Sequence, residues 1–187
     1  MKLLKSKKGL STVVTTLIIL VVSVLLASVV TFYAINVTTT RVQEESLFLT
    51  KPHIWYSSTN ETQTGEAAIM IINTGGRDVV IDKITVRGQE CEWTNVFYNI
   101  TKGSITGDLE FQDTLTDGGT ISIGGSSYEF IQGTSGTDLT LRSGYTMIIY
   151  IDDPDSISLN DIGLTVGITV FTSNAQYYKE ANVEATA

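Results

Sequence analysis

The sequence predicts an α+β chain in which a long apolar helix precedes an all-β head, and three observations carry the prediction. Residues 10–40 run for 31 positions without a charge, a glycine or a proline. Residues 53–187 break into short apolar runs separated by glycine, asparagine and aspartate turns, with no helical pattern of 10 or more residues. Charge is divided along the same line: residues 1–9 hold four lysines and no acid, whereas residues 41–187 hold 8 basic against 20 acidic residues. The whole chain is −8 at pH 7, and the part after the apolar run is −12.

This composition excludes several classes of function. An acidic body with singly scattered basic residues has no stripe to track a phosphate backbone, so no nucleic-acid partner is expected. One cysteine, Cys91, cannot form an internal disulfide, and one histidine, His53, leaves neither a zinc set nor a Cys/His or Ser/His/Asp constellation. Gly118-Gly119, Gly124-Gly125 and Gly133-Thr134-Ser135-Gly136 read as turns, because none carries a phosphate loop's Lys-Ser/Thr or a G-x-S-x-G elbow. The expectation is a protein that is not an enzyme and uses no cofactor or metal.

As a helix, residues 10–40 would reach roughly 46 Å, beyond the roughly 30 Å of a hydrocarbon core. The apolar density is greatest from residue 17 to 30, and Phe32 and Tyr33 sit where an interfacial aromatic belt belongs. Eighteen of the 31 residues are β-branched, a poor helix record in water. Hydrocarbon is the relevant solvent, and there a single span satisfies its backbone only as a helix. Buried strands of a soluble protein are the competing reading, but strands rarely exceed about ten residues. Lys2, Lys5, Lys7 and Lys8 precede the span and hold that end in the cytoplasm, which places the acidic body outside.

Lys7-Lys8-Gly9 followed by Leu10-Ser11-Thr12-Val13-Val14 closely resembles the class III signal of archaeal type IV pilins and archaellins. The resemblance covers about the first 45 residues. It implies cutting by a prepilin peptidase between Gly9 and Leu10, loss of a leader comprising residues 1–9, and retention of the apolar helix. It further implies that Val14, Leu17, Ile18, Val21, Val24, Leu25, Val29 and Phe32 pack in the core of a filament of identical subunits, raised from the membrane by a pilus assembly machinery. Bacterial type IV pilins usually carry glutamate at the fifth mature position, where this chain has Val14. Its absence leaves subunit register to apolar packing.

Arg41, Gln43, Glu44 and Glu45 form a polar collar, and Lys51-Pro52 is expected to end any continuing helix. The helix is therefore assigned to residues 10–48, the head to 49–187, and the hinge between them to 46–52. In the head, residues 163–172 alternate Leu164, Val166, Ile168 and Val170 with polar or small residues, as a half-buried strand does. Tyr145, Met147, Ile149 and Ile151 make a second such strand, and segments 67–72, 79–86, 93–100, 120–123 and 128–131 are shorter candidates. Seven or eight strands joined by turns such as Asn73-Thr74-Gly75-Gly76 predict an immunoglobulin-like sandwich or a related jelly roll.

Two acidic clusters stand out: Asp108, Glu110, Asp113 and Asp117, and Asp152, Asp153, Asp155 and Asp161. The second misses the calcium-loop template, since counting from Asp153 the fifth position is Ile157 and the twelfth is Leu164. Both read as solvated turns. N-x-T sequons occur at Asn36, Asn60 and Asn99. Asn60 and Asn99 are the preferred glycan acceptors, and Asn36 lies near the exit of the stem. Cys91 is expected to be a buried thiol beside Trp93, with pairing between subunits as the alternative. Trp55, Tyr56, Trp93, Tyr177 and Tyr178 read as core or subunit-contact residues.

The functional expectation is a structural subunit of an archaeal type IV pilus-like filament for adhesion, located outside the cell and inserted in the membrane before assembly. A swimming archaellum uses the same subunit plan and is the near alternative. A single-span anchored β-domain that binds at the cell surface is the alternative from a different class.

Overall fold

The computed structural model describes residues 7–42, 44–57 and 65–186. The chain divides into two compact units, Met1–Gln43 and Glu44–Ala187. The first is built on helix α1, Lys7–Val42, 36 residues long. Its hydroxyl side chains donate to carbonyls one turn back: Thr15 to Ser11 at 2.9 Å, Ser28 to Val24 at 2.8 Å, Thr31 to Ala27 at 2.8 Å and Thr39 to Ile35 at 2.8 Å. Each of these hydroxyls is satisfied within the helix, so it brings no unmet donor into an apolar surrounding.

The helix ends at Val42 rather than at residue 48, and the boundary between units falls at Gln43/Glu44 rather than within 46–52. Leu47 and Leu49 are the cause. Both are buried and lie on one face of strand β1, Leu47–Ser57, which pairs antiparallel with β2, Gly65–Asn73. Lys51-Pro52 interrupts β1 instead of stopping a helix: the register shifts between Thr50 and His53, and Lys51 adopts φ 50°. Proline has no N–H to give to the ladder, so a bulge there sacrifices little pairing.

The remaining strands are β3, Val79–Val86; β4, Gln89–Glu90; β5, Val96–Thr101; β6, Thr120–Ile123; β7, Ser126–Glu129; β8, Ile131–Gln132; β9, Leu139–Leu141; β10, Thr146–Asp152; β11, Thr165–Thr172; and β12, Gln176–Thr186. A 3₁₀ turn at Trp93–Asn95 occupies the start of the segment expected to be strand from 93 to 100. Strands β1, β2, β10 and β5 lie side by side, and β3, β11 and β12 form the second layer, extended by β4. This is the neighbour order of an immunoglobulin sandwich, whose first, second, fifth and fourth strands share a sheet opposite the third, sixth and seventh. The fold class read from the sequence is the fold observed.

Strand β12 joins the two layers. Its residues 176–182 run antiparallel to β11, and Val183 onward runs parallel to β1, with Val183 opposite Ile54 and Thr186 opposite Ser57. Between the layers lies the main core, which includes Ile54, Ile69, Ile71, Ile81, Ile84, Met147, Ile149, Ile168 and Val170.

A second core lies on the outer face of the larger sheet, formed by Trp55, Ala68, Met70, Phe97, Ile148 and Tyr150 beneath Leu109, Ile121, Ile123 and Phe130. Its cover comes from residues 105–130 of an insertion between β5 and β10 that contains the β6–β7 hairpin, β8 and β9; β9 instead pairs with β3, where Leu139 and Leu141 enter the main core. Strand β10 is therefore buried on both faces, not half-buried as its Met147, Ile149 and Ile151 alternation suggests. Ile148 and Tyr150 fill the second core. Continuous apolar runs are what doubly covered strands require.

Two close backbone approaches hold the pieces together. Thr74 and Gly75 donate their N–H groups to the Ser46 carbonyl, and a Cβ on Gly75 would lie 2.6 Å from the Glu44 carbonyl oxygen. Inside the insertion, a Cβ on Gly107 would lie 2.2 Å from the Gly124 nitrogen. Only glycine allows the limb after β5 to cross the β6–β7 turn at this distance.

Candidate assembly surface and acidic cluster

The expected filament-core positions Val14, Leu17, Ile18, Val21, Val24, Leu25, Val29 and Phe32 all lie on α1 and are 48–72% exposed. Apolar residues surround the helix on every side, because Leu17, Ile18, Ile19, Leu20 and Val21 occupy five successive positions and all are exposed. A helix on the surface of a globular protein shows one apolar stripe; this one would bury apolar surface whichever way it turned. Residues Ser11–Thr40 are long and apolar enough to cross a membrane. The Gly9–Leu10 junction falls in the first turns of α1, with Lys7 and Lys8 preceding it, while Lys2 and Lys5 lie outside the described residues.

The three sequons fare differently. Asn36 is on the exposed surface of α1, within the apolar span, and its carbonyl accepts from the Thr40 hydroxyl at 2.9 Å. Asn60 lies outside the described residues. Asn99 sits within β5, and its Nδ2 donates to the Glu129 carbonyl at 2.7 Å. A glycan on that nitrogen would replace one of its two hydrogens and leave the other to donate to the β7 backbone.

The bulge in β1 and the buried end of β2 together hold the first limb of the insertion. Lys51 Nζ donates to the carbonyls of Ile105 and Gly107. His53 Nε2 meets Asp108 Oδ1 at 3.1 Å, and its ring stacks on Trp55 at 5.1 Å with the planes 4° apart. Trp55 in turn receives the edge of Phe111. Partial burial pushes the Asp108 carboxyl up, but the bonds from His53 and the Leu109 N–H outweigh it and hold the group below its ordinary range.

Glu66 is the least expected member of this region. It is fully buried on β2, and both its oxygens accept from the Gln112 N–H, at 3.2 and 3.3 Å. Asp152 is its register partner on β10. Burial pushes the Glu66 carboxyl up to about 9, the Gln112 N–H opposes that, and Asp152 and Asp113 add to it. The group is uncharged at neutral pH. Tyr150, whose hydroxyl donates to the Glu110 carbonyl at 3.1 Å, is raised by burial and then by Glu66. Sequence reasoning missed Glu66 because nothing adjacent in sequence buries it. The one available signal was its place directly before the apolar run of residues 67–72.

The acidic clusters do not converge on a cation. Asp108 serves His53, Asp113 approaches Glu66, and the Asp117 carboxylate accepts from the Gln132 N–H at 2.9 Å. Asp161 is bound by the Ser158 hydroxyl and N–H and by Arg87 at 2.7 Å, and these bonds hold it below the usual carboxylate range. Among the described residues, no group of three or more His, Cys, Asp or Glu side chains is placed to hold a metal ion. Cys91 is half-buried and packs with Trp93 against the main core, and burial pushes its thiol up to about 11. Trp55 is a core residue, Tyr56 and Tyr177 pack partly buried against the main core, and Tyr178 is exposed.

No family model matches this chain, and no curated protein does. Among solved structures, the ligand binding region of serine-glutamate repeat protein A of Enterococcus faecium is similar at a TM-score of 0.29 and 12% identity, covering 78% of this chain and 99% of that one. A β-glucosidase from Erythrobacter marinus is similar at a TM-score of 0.26 and 13% identity, covering 74% of this chain and 15% of that one.

Proposed function

We propose that this chain is a structural subunit of an extracellular type IV pilus-like filament of the archaeal kind, serving adhesion, with α1 in the filament core and the β head on its surface. The observation that carries the reading is the helix itself. It is apolar on every side and uncharged from Leu10 to Thr40, and it directly follows a Lys-Lys-Gly junction resembling a class III signal. Removing the lysines frees the helix from the cytoplasmic face, and packing against copies of itself replaces lipid as the apolar surrounding. Outside the membrane, exposure of that surface to water is unfavourable by about 25 cal/mol per Å², which holds a finished filament together. Copies related by an open helical operation need not close, so the assembly extends.

The test is the N-terminus, by mass spectrometry, of the protein in material sheared from cells. A chain starting at Leu10 in fibres supports the reading. An uncut chain found only in membranes would replace it with an anchored β-domain.

A further inference from the structure

We propose that Phe48 is a knob between subunits: its ring docks in the notch that Ala34, Ile35, Thr38 and Thr39 form on α1 of a second copy of this chain. The inference rests on the filament reading above and names a contact within it. Strand β1 turns Leu47 and Leu49 into the main core, so the alternation of the strand sends Phe48 to the opposite face. Its register partner there is Ile72, which is half-buried, whereas Phe48 is 54% exposed. This is the sheet face that the insertion covers further along, over Trp55 and Phe97. The cover starts at the bulge, where Lys51 Nζ donates to the Ile105 and Gly107 carbonyls, and it leaves Phe48 open. Burying that ring against an apolar partner removes surface that water disfavours.

The chain itself indicates the partner. Only residues 43–47 separate Phe48 from the end of α1 at Val42, so its Cα stays within about 22 Å of that end. A surface that close to the end of α1 borders whatever packs around the last turns of the helix, and in a filament of identical subunits that is α1 of another copy. Those turns carry a notch of about 280 Å³ lined by Ala34, Ile35, Thr38 and Thr39. Ala34 is the small residue that opens it. Thr39 donates its hydroxyl to the Ile35 carbonyl at 2.8 Å, so it makes no demand on an apolar visitor. No charge lies within this stretch. The notch begins one residue past Phe32 and Tyr33, on the outward side of the interfacial pair, which favours protein over lipid as its cover. Knob and notch also occupy different places along the chain. Copies related by an open helical operation bring one surface against a different one, so each copy gives Phe48 to one neighbour and its notch to another.

A full chain with p-benzoylphenylalanine in place of Phe48, irradiated on cells, tests the contact. Sheared fibres should contain covalent dimers and longer ladders, with the new bond running from residue 48 of one copy to residues 34–39 of another by mass spectrometry. Phe48→Ser should leave leader removal and the thermal unfolding of the detergent-solubilised chain unchanged. Its fibres, warmed in mild detergent, should release about tenfold more free subunit than the wild type. Phe48→Leu should restore wild-type release. Bonds confined to lipid, to the same chain or to another copy's head, or Phe48→Ser fibres as stable as the wild type, would overturn the contact while leaving the filament reading intact. A wild type that makes no fibres would overturn both.

Discussion

Asn99 and Glu129 join the main sheet to the insertion: Asn99 Nδ2 on β5 donates to the Glu129 carbonyl on β7 at 2.7 Å. The sequon nitrogen is thus a structural donor through one hydrogen, a glycan would replace the other, and Asn99 is expected to carry one in the exported protein. Glycopeptide mass spectrometry of filaments checks this. Asn99→Asp should remove that glycan and destabilise the head by about 0.5–1.5 kcal/mol, since the substituted side chain has no N–H to give.

Gly9→Val should block removal of the leader, because the cut implied by the class III resemblance follows that glycine. The expected outcome is accumulation of full-length chain in the membrane and loss of fibres, read by immunoblot and electron microscopy.

A charge in the middle of α1 should prevent both insertion and packing. Leu25→Lys places an ammonium at a position 60% exposed on the helix, where the cost in a bilayer centre is about 2.5–3.5 kcal/mol. Membrane-inserted protein and fibres should both fall. Leu25→Ile, which keeps the apolar surface, should assemble normally.

Gly107→Ala should destabilise the second core by about 1–3 kcal/mol, since the new Cβ would lie 2.2 Å from the Gly124 nitrogen with backbone on both sides. Denaturant unfolding should show the loss. Gly125→Ala, where no atom lies within 4 Å, tests the different effect of a φ of 84° and should cost less.

The head's stability should peak on the acid side of neutrality. Asp108 and Asp161 have lowered folded-state values, so their stabilisation is present above the ordinary 3.8 and is lost as pH falls through the lowered values. Glu66 has a raised value, so its contribution is complete below 4.5 and is lost as pH rises toward about 9. Together they place the maximum at about pH 4–5. Thermal unfolding across pH 3–9 should show it, and Glu66→Gln should flatten the alkaline limb only.

Local pattern alone determined much of this protein. The apolar helix was legible because a span's length and lack of charge need no knowledge of its neighbours. Strands that bury one face were legible for the same reason: β3 and β6 occupy the residues their patterns marked, 79–86 and 120–123, and Val166, Ile168 and Val170 point into the core from β11. Of the strands in the two layers, β2, β3, β5, β10 and β11 coincide with such runs, and the immunoglobulin-like class followed from the number of runs and the turns between them.

Tertiary structure decided the rest. Strand β1 exists because β2 and β12 pair with it, which overrides the helix-stop reading of Lys51-Pro52. Strand β12 carries a single fully buried apolar residue, Val183, and owes its place to backbone pairing with both layers, which leaves no hydrophobic pattern to read. The second core, the burial of Ile148 and Tyr150, and the uncharged state of Glu66 all depend on the insertion of residues 102–145 folding back over the sheet. Burial and charge state are set by what packs from a distance, and a one-dimensional pattern holds no record of that contact.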